Sequence, residues 1–468
     1  MIINILSAHI IMCALFAINL LHSAEKTSKC DKSINKEYNL PSLDEISTLA
    51  KSCVAASRKR IEQQNSWVPG QVLTGLFDDD NTPVKRNKAG YLFTPFIQKY
   101  LVNEGDIILI HGDLHGAADN LYAALKLWQT HGYLDPEDMY KIQNDKIHII
   151  ILGDLVDRGP KQIETLCIIW KLMINNRNII VTRGNHEDIS LNKHDGGLIK
   201  KIKASYLQNK NHDALQSFYK IILKFYDLLP LGVYIQIPDG NFILGCHGCG
   251  GLDVNPAPLL NHPTASYYMF DLIARNDIIS NLKPQVKEEI NKTIPSWAQE
   301  NFIPTSPQTI RVIKELNALR YDVDLLHFLW ADIQVDPTAP VAYDPTRSWI
   351  LSASLIKEIL SYQYQSGKVL AILRGHQHTP CLKNPMMRSI YNLDGKIHAD
   401  DTGISKLWPT ENLPAPGALW RNIVCTFCLA PQTYESIDNF PRYDTWGLLQ
   451  INKTFDECTL KAIRITNQ

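Results

Sequence analysis

Three short polar segments decide the fold of this chain: GDLHG at 112–116, GDLVDRG at 153–159 and GNHE at 184–187. An apolar run precedes each of them, at 106–111, 146–152 and 178–182. These runs lack polar alternation, which is typical of strands buried on both faces. Helical patterns lie between the runs, at 119–131 and 161–175. The order of strand, turn and helix therefore predicts βαβ units that share a parallel sheet.

Polar side chains follow each of the three predicted strands. Because such sheets place ligand-binding groups at the carboxyl ends of their strands, these side chains should converge on one crevice: Asp113, His115, Asp154, Asp157, Arg158, Asn185 and His186. Carboxylate, imidazole and amide oxygen suit manganese, iron or zinc, and no cysteine is among them. Asp154 is central in chain order and is therefore the candidate to bridge two ions.

The three segments together resemble the calcineurin-like metallophosphoesterases, and within them the phosphoprotein phosphatase (PPP) family. The family pattern GD-x-HG, GD-x-VDRG and GNHE is complete here, in order, with each part after a predicted strand. The resemblance implies an α/β fold, a two-sheet sandwich flanked by helices, with the metal crevice along one edge. It extends over roughly 42–465, with insertions near 67–92, 252–309 and 382–420.

Later segments fit the same resemblance. A predicted strand at 241–246 leads into His247, and one at 368–373 leads into the segment RGHQH at 374–378. LLHFLWAD at 325–332 resembles the family's LLWSD, and VCTFCLAP at 424–431 resembles the strand before its SAPNY loop. The stretch 444–465 resembles the closing strands.

The resemblance also implies the metal ligands. The first metal takes Asp113, His115 and Asp154, and the second takes Asp154, Asn185, His247 and His376. The role of His378 is left open. It is either a ligand of the first metal, as in the wider superfamily, or a histidine that contacts the ligands without binding the metal itself. Whether the ions are manganese, iron or zinc is not fixed by these residues.

The implied chemistry is direct attack on a phosphomonoester by a hydroxide held between the two metals. His186 would protonate the leaving oxygen, oriented by Asp157, and Arg158 would hold two phosphate oxygens. The alternative for Asp157 and Arg158 is a structural ion pair. A second phosphate-binding arginine is expected at Arg347, although its surroundings depart from the family spacing, with Arg374 as the other candidate.

The resulting functional prediction is a metal-dependent phosphoprotein phosphatase, with serine/threonine or tyrosine specificity open. A secreted nucleotidase or phosphodiesterase is the alternative enzyme, and it would need an aromatic pocket for a base. A pseudo-phosphatase that only binds phosphoprotein would require a missing ligand, and none is missing. A purely structural metal domain does not explain His186 together with Asp157.

Composition limits the other classes of function. The 468 residues carry a net charge of -1 and are 45% hydrophobic and 20% charged, so no basic field for nucleic acid is expected. Beyond the N-terminal segment, no run of 18 or more apolar residues predicts a membrane span. The oligomeric state is not predicted.

The N-terminal segment 1–21 is almost wholly apolar, and a small-residue site ends at Ala24. This pattern predicts a signal peptide at 1–24 and hence export, although no basic residue precedes the apolar core; a membrane anchor or an ordered first helix is the alternative. With the resemblance, export favours a bacterial secreted effector-type phosphatase. An N-terminal helix and loop insertion at 40–104 would pack on the core, and the phosphoesterase domain would cover 105–466.

Two CxxC pairs, Cys246 with Cys249 and Cys425 with Cys428, have spacings found in zinc sites. Both pairs lie in or beside apolar strand-like runs, where free cysteines behave as small hydrophobic residues. The sequence favours buried thiols over a structural zinc.

Overall fold

A computed structural model describes residues 41–62, 66–69, 96–189, 191–206, 212–249, 256–269, 328–334, 342–344, 348–352, 356, 359–377, 404–407, 423–427 and 444–465. The chain divides into two units, 1–46 and 47–468, and only 41–46 of the first are described. The predicted signal peptide at 1–24, Arg347 and His378 lie outside the described residues, as does most of the predicted insertions.

The secondary structure follows the sequence pattern closely. The helices are α1 Leu43–Ile61, α2 Ala118–Thr130, α3 Gln162–Asn175, α4 Leu198–Tyr206, α5 His212–Asp227 and α6 Ala257–Leu260. The first seven strands are β1 Phe96–Leu101, β2 Ile107–His111, β3 Ile147–Ile151, β4 Ile179–Val181, β5 Gly232–Gln236, β6 Phe242–Cys246 and β7 Tyr267–Met269, the last of which lies within the second predicted insertion. The later strands are β8 Asp332–Gln334, β9 Ala342–Asp344, β10 Ser348–Ser352, β11 Val369–Arg374, β12 Ile404–Leu407, β13 Ile423–Phe427, β14 Asp444–Gln450 and β15 Thr459–Ile465.

The predicted βαβ units form a five-stranded sheet with the order β15-β14-β2-β3-β4. Strands β2, β3 and β4 are parallel, and β14 pairs with β2 in the antiparallel direction. All five residues of β3 are buried, as expected for a strand covered on both faces. Helix α3 contacts both β4 and α2, so the two crossover helices pack together.

A seven-stranded sheet has the order β12-β13-β11-β6-β5-β1-β7, and a small third sheet has the order β8-β10-β9. The strands β6, β11 and β13 are parallel neighbours within the larger sheet. Their carboxyl ends therefore lie at one edge, as do those of β2, β3 and β4 in the other sheet.

One hydrophobic cluster lies between the two large sheets. It combines alternate residues of the five-stranded sheet, such as Ile108, Ile110 and Ile150, with residues of the seven-stranded sheet, such as Ile243 and Leu373. Two-residue spacing along each strand turns these side chains to the same face. The shared core confirms the predicted two-sheet sandwich. It also packs the two sheets against each other, which fixes the position of one strand edge relative to the other.

Helix α1 begins with a capping box, in which the Ser42 backbone N–H donates to Glu45 Oε2 at 2.7 Å. The Glu45 N–H donates back to Ser42 Oγ at 3.3 Å. At its other end, Ile61 belongs to a small apolar cluster with Trp67 and Phe96, against which Val54 packs. Among the described residues, no helix combines the length and apolar character that crossing a membrane would need.

Cys246 and Cys249 lie in one hydrophobic cluster and Cys425 lies in another, and all three side chains are buried. Burial raises the pKa of the Cys249 thiol to about 12, so it stays protonated. These placements agree with the predicted small hydrophobic roles of the cysteines. Cys428 is outside the described part of the chain.

Candidate dimetal centre and active site

The candidate site lies where five strands end. Strands β2, β3 and β4 lead into Asp113, Asp154 and Asn185, and strands β6 and β11 of the other sheet lead into His247 and His376. Hydrogen bonds join the two edges: His247 Nδ1 contacts the Leu152 carbonyl at 2.8 Å. The His376 N–H donates to Asp113 Oδ1 at 3.0 Å. The sandwich thus brings together the residues that the sequence predicted to converge.

Five site residues adopt left-handed backbone conformations without being glycine. Their φ values are positive in each case: His115 42°, Asp154 52°, Asp157 66°, Arg158 67° and His376 65°. Such conformations cost of order 1–3 kcal/mol each and persist where surrounding contacts enforce them. Their concentration at the strand ends marks this edge as the functional one.

Asp154 is at the centre of the site. Its Oδ2 lies 3.3 Å from His115 Nε2 and 3.2 Å from His247 Nε2. Asp113 Oδ2 is 3.8 Å from His115 Nε2. These four side chains are almost completely buried, with exposures of 0–1%. Asp154 is therefore the carboxylate that faces ligands on both sides, as a bridging role requires.

A second convergence is centred on the amide of Asn185. Its Oδ1 lies 2.8 Å from His247 Nε2 and 2.9 Å from His376 Nδ1. The other nitrogen of His376, Nε2, lies 3.5 Å from Asp332 Oδ1. One amide oxygen and two imidazole nitrogens thus meet at one point, next to Asp154.

These residues fit divalent metal ions. Two groups have ligand atoms that all lie within 4.8 Å of one another, namely His115 with Asp154 and His186, and Asp113 with Asp154 and His247. Asp154 is common to both groups. Carboxylate, imidazole and amide donors are accepted by manganese, iron and zinc alike, so the donor set fits a dimetal centre without fixing the metal.

Backbone carbonyls and one carboxylate orient the ligands. His115 Nδ1 contacts the Val156 carbonyl at 2.7 Å, which turns Nε2 toward Asp154. Buried Glu187 accepts three backbone N–H groups, from Asp154 at 2.8 Å, Leu155 at 2.8 Å and Gly184 at 2.7 Å. Glu187 therefore joins the second and third motifs rather than binding a metal.

Burial and neighbouring charges separate the pKa values at the site. Burial raises the pKa of Asp154, but the nearby histidines His247 and His186 outweigh it, and the carboxyl pKa falls well below its usual value. Burial and then Arg158 lower the pKa of His115 to about 4. Ionised Asp154 and neutral His115 are the protonation states that metal ligation requires. Burial lowers the pKa of His247, but Asp154 and Asp113 outweigh it and raise that pKa to about 9, so a bound ion would have to displace the His247 proton.

His186 lies beside the candidate metal ligands and contacts two other predicted site residues, Asp157 and Arg158. Its Nδ1 is 2.8 Å from Asp157 Oδ2, and its Nε2 is 3.0 Å from Arg158 Nη2. Because a guanidinium only donates, Nε2 accepts in this arrangement and Nδ1 carries the proton toward Asp157. Asp157 is buried, while Arg158 is exposed. The structure thus presents the predicted acid, its orienting carboxylate and an accessible cation as one unit.

Arg374 does not face the crevice as a phosphate-binding residue would. It is fully buried, its Nη1 donates to Gln377 Oε1, and its Nη2 donates to the Ala331 carbonyl at 3.1 Å. Gln377 in turn pairs with the backbone of Ile333 through bonds of 2.8 and 3.0 Å. We therefore correct the expectation for Arg374, because its guanidinium supports the turn before β8.

Some residues around the site were not singled out from the sequence. Asn192 donates to Asp157, Gln162 Oε1 accepts the Asp157 N–H at 3.1 Å, and Asp332 faces His376. No motif marks Asn192 or Gln162. For Asp332 a signal was present, because it ends the LLHFLWAD segment.

Gly159 permits a close approach between the first two motifs. Its N–H donates to the His115 carbonyl at 2.9 Å, and a Cβ added there would lie 1.9 Å from that oxygen. We expect Gly159→Ala to displace His115 and to weaken metal binding by at least about tenfold, the scale for lost support of a ligand. Titration of metal-free protein with manganese measures the change.

Gly132→Ala is the matched control, since Gly132 has φ +73° but an added Cβ meets nothing within 4 Å. It should lose stability from backbone strain without losing metal affinity. Unchanged metal affinity in Gly159→Ala would contradict the assigned role of this contact.

Comparison with known proteins places this site in a family. The model of the calcineurin-like phosphoesterases matches residues 107–380, more than half of the chain. The human serine/threonine-protein phosphatase with EF-hands 1 is 31% identical over 142 residues, 30% of this chain and 18% of that protein. The Drosophila melanogaster serine/threonine-protein phosphatase rdgC is 31% identical over 195 residues, 41% of this chain and 24% of that protein. The chain thus spans about a quarter or less of these two relatives.

Among solved structures, a Saccharomyces cerevisiae serine/threonine phosphatase with similarity to human PP5 matches at 15% identity and a TM-score of 0.47, covering 95% of this chain and 97% of that one. A cold-active protein-tyrosine phosphatase of a Shewanella species matches at 13% identity and a TM-score of 0.37, covering 79% and 82%. The family match runs from the start of β2 through the segment that contains His376, and so contains all the ligands that the structure brings together. The chain belongs to the calcineurin-like phosphoesterase family.

Proposed function

We propose that this protein is a metal-dependent phosphoprotein phosphatase that hydrolyses phosphomonoesters. One observation carries the proposal: His186, held by Asp157 at 2.8 Å and facing Arg158 at 3.0 Å, lies next to the metal-ligand cluster. A metal site alone needs none of these three residues. A phosphomonoesterase needs a cation for the phosphate and an acid for the leaving group, and both are present.

The residues of the chain have separate tasks in this proposal. The side chains that would hold two metal ions are Asp113, His115, Asp154, Asn185, His247 and His376, and the bound ions would supply Lewis acidity. Arg158 binds phosphate oxygens through its planar fork, which releases His186 Nε2 from its contact with Arg158. The freed Nε2 takes up a proton from solvent, and Asp157 stabilises the resulting imidazolium through Nδ1. His186 then gives the Nε2 proton to the leaving oxygen and returns to its neutral form. Arg347, outside the described residues, is a further phosphate-binding candidate.

The class of phosphoprotein is part of the proposal. Relatives of the matched region are named serine/threonine-protein phosphatases, which supports phosphoserine and phosphothreonine as substrates. The sequence leaves serine/threonine and tyrosine specificity open, so the test includes a phosphotyrosine substrate. The net charge of -1 supports a substrate other than nucleic acid.

The deciding experiment is hydrolysis by full-length protein of a matched panel: phosphoserine, phosphothreonine and phosphotyrosine peptides, a nucleoside monophosphate and a phosphodiester. With manganese supplied we expect hydrolysis of phosphopeptides, loss of activity with chelator, and two divalent ions per chain by elemental analysis. Preference for the nucleotide or the diester would favour the alternative enzyme. Two bound ions without hydrolysis of any substrate would indicate a pseudo-phosphatase.

The proposal extends to location. The apolar segment 1–21 followed by Ala24 supports removal of a signal peptide and export, and an exported phosphatase would act on proteins outside the cell that makes it, as a bacterial effector does. N-terminal sequencing of the protein recovered outside the producing cells tests this point. An intact residue 1 on cell-associated protein alone would contradict it.

A further inference from the structure

Asn192 contacts both members of the Asp157–His186 pair. Its Nδ2 lies 2.9 Å from Asp157 Oδ1 and 2.9 Å from Asp157 Oδ2. The same nitrogen lies 2.9 Å from the His186 carbonyl oxygen. An amide nitrogen carries two protons, so one is shared by the carboxylate oxygens and the other binds the backbone of His186. Asn192 therefore fixes the carboxylate and the histidine relative to each other.

The orientation of this amide is set by a tyrosine. Tyr226, in the last turn of α5, donates its hydroxyl to Asn192 Oδ1 at 2.9 Å. With the oxygen of the amide occupied in this way, the NH2 group must face Asp157. The reverse orientation would place the amide oxygen against a carboxylate and leave the hydroxyl against two donor protons.

Both residues are completely enclosed. Asn192 and Tyr226 each have 0% exposure, so water does not substitute for either bond. Burial, and then the charges of Glu187 and Asp157, raise the pKa of the Tyr226 hydroxyl well above its ordinary value, so it remains a donor. The Leu198 N–H adds a further bond to Asp157 Oδ1 at 2.9 Å. Leu198 thus holds the carboxylate oxygen that is not bonded to His186.

We infer that Asn192 and Tyr226 are positioning residues for the proton donor: they lock Asp157 so that His186 presents Nε2 to the leaving group. The inference rests on the proposed function, since it concerns the acid of that reaction. The side-chain bonds described for Asn192 and Tyr226 run to Asp157, to the His186 carbonyl and to each other, and none of these partners is a metal ligand in the proposed function. The pair therefore affects protonation of the leaving oxygen rather than metal binding.

The test compares two substrates with different leaving groups. A phosphoserine peptide needs the acid, because its alkoxide leaves badly, whereas p-nitrophenyl phosphate does not. We expect Asn192→Ala to lower kcat on the peptide roughly 10- to 100-fold, as for other groups that orient a functional side chain. On the aryl phosphate the loss should stay below about threefold, and both metals should be retained. Tyr226→Phe should act in the same direction, by about 3- to 10-fold on the peptide.

The matched control is Asn176→Ala. Asn176 is also a buried asparagine with three bonds of 2.7 Å, to Ile142, Tyr140 and Leu172, but it lies at the opposite end of the sheet, before β4. This variant should lower the melting temperature while leaving the ratio of the two substrate rates unchanged. Tyr226→Phe keeps the aromatic ring and serves as the deciding variant if Asn192→Ala fails to fold.

A double variant separates positioning from general stability. If Asn192 acts through His186, adding Asn192→Ala to His186→Asn should lower kcat on the peptide by less than about twofold more. Equal losses on both substrates in the single variants, or a full additional loss in the double variant, would overturn the inference while leaving the proposed function intact. Wild-type protein inactive on both phosphomonoesters would overturn the proposed function, and the inference with it.

Discussion

Asp154→Asn is expected to reduce phosphomonoester hydrolysis by at least about a thousandfold, roughly 4 kcal/mol in the barrier. Asp154 Oδ2 faces His115 and His247 at 3.3 and 3.2 Å, so its charge is shared between both sets of ligands. Asparagine keeps the shape but removes that charge. The fold should persist, because Oδ1 can still accept the His186 N–H, which lies at 2.8 Å in the native protein.

Activity, elemental analysis and circular dichroism measure the three parts of this expectation. Metal content should fall below two ions per chain while the spectrum is preserved. Asp213→Asn, an exposed aspartate in the first turn of α5, makes the same chemical change away from the site and should match the wild type. If Asp154→Asn retained activity within about tenfold, a difference of only ~1.4 kcal/mol, the catalytic site would lie elsewhere.

His186→Asn is expected to lower the rate of hydrolysis by different factors for the two classes of substrate. With phosphoserine the loss should be about 10²–10⁴-fold, the usual contribution of a positioned acid. With p-nitrophenyl phosphate it should be smaller, because that leaving group is stable without a proton. Both metals should stay bound, since His186 Nδ1 is bonded to Asp157 at 2.8 Å and Nε2 faces Arg158 at 3.0 Å.

The metal content of His186→Asn distinguishes a proton-donor role of His186 from a metal-ligand role. The donor atoms of His186, His115 and Asp154 lie close enough together to hold an ion, so a ligand role is the rival explanation. Loss of a metal in His186→Asn, or equal losses on both substrates, would support that rival. His212→Asn, at the exposed start of α5, is the control for the substitution itself.

The strand ends could be predicted because their sequence signals are local. Each of β2, β3 and β4 is an apolar run of few residues that leads directly into a polar motif, and the observed bounds differ from the predicted ones by about one residue. Parallel neighbours then place the motif side chains at one edge for geometric reasons alone. His247 and His376 needed the family resemblance, because nothing local separates them from structural histidines.

Contacts between distant parts of the chain could not be predicted in this way. Arg374, the arginine in RGHQH, has a side chain that could bind phosphate. Its guanidinium is instead bonded to the carbonyl of Ala331, which lies 43 residues earlier in the chain. Asn192 sits in a short 3₁₀ turn without any periodic pattern, and Tyr226 reaches it from 34 residues away. Propensity and spacing describe neighbours in sequence, whereas these bonds depend on how the elements pack.

The division of the ligands between the two sheets links metal binding to folding. Three ligand-bearing turns follow strands of one sheet and two follow strands of the other, so an ion that contacts both acts as a cross-link across the sandwich. If the ion binds the closed structure only, it would stabilise that structure by about 2.7 kcal/mol at a concentration a hundredfold above its dissociation constant. Separation of the sheets would break the site before either sheet lost its own hydrogen bonds. Metal affinity therefore depends on the two sheets being packed together. A metal-free chain would have a lower free energy of unfolding, because it lacks this cross-link.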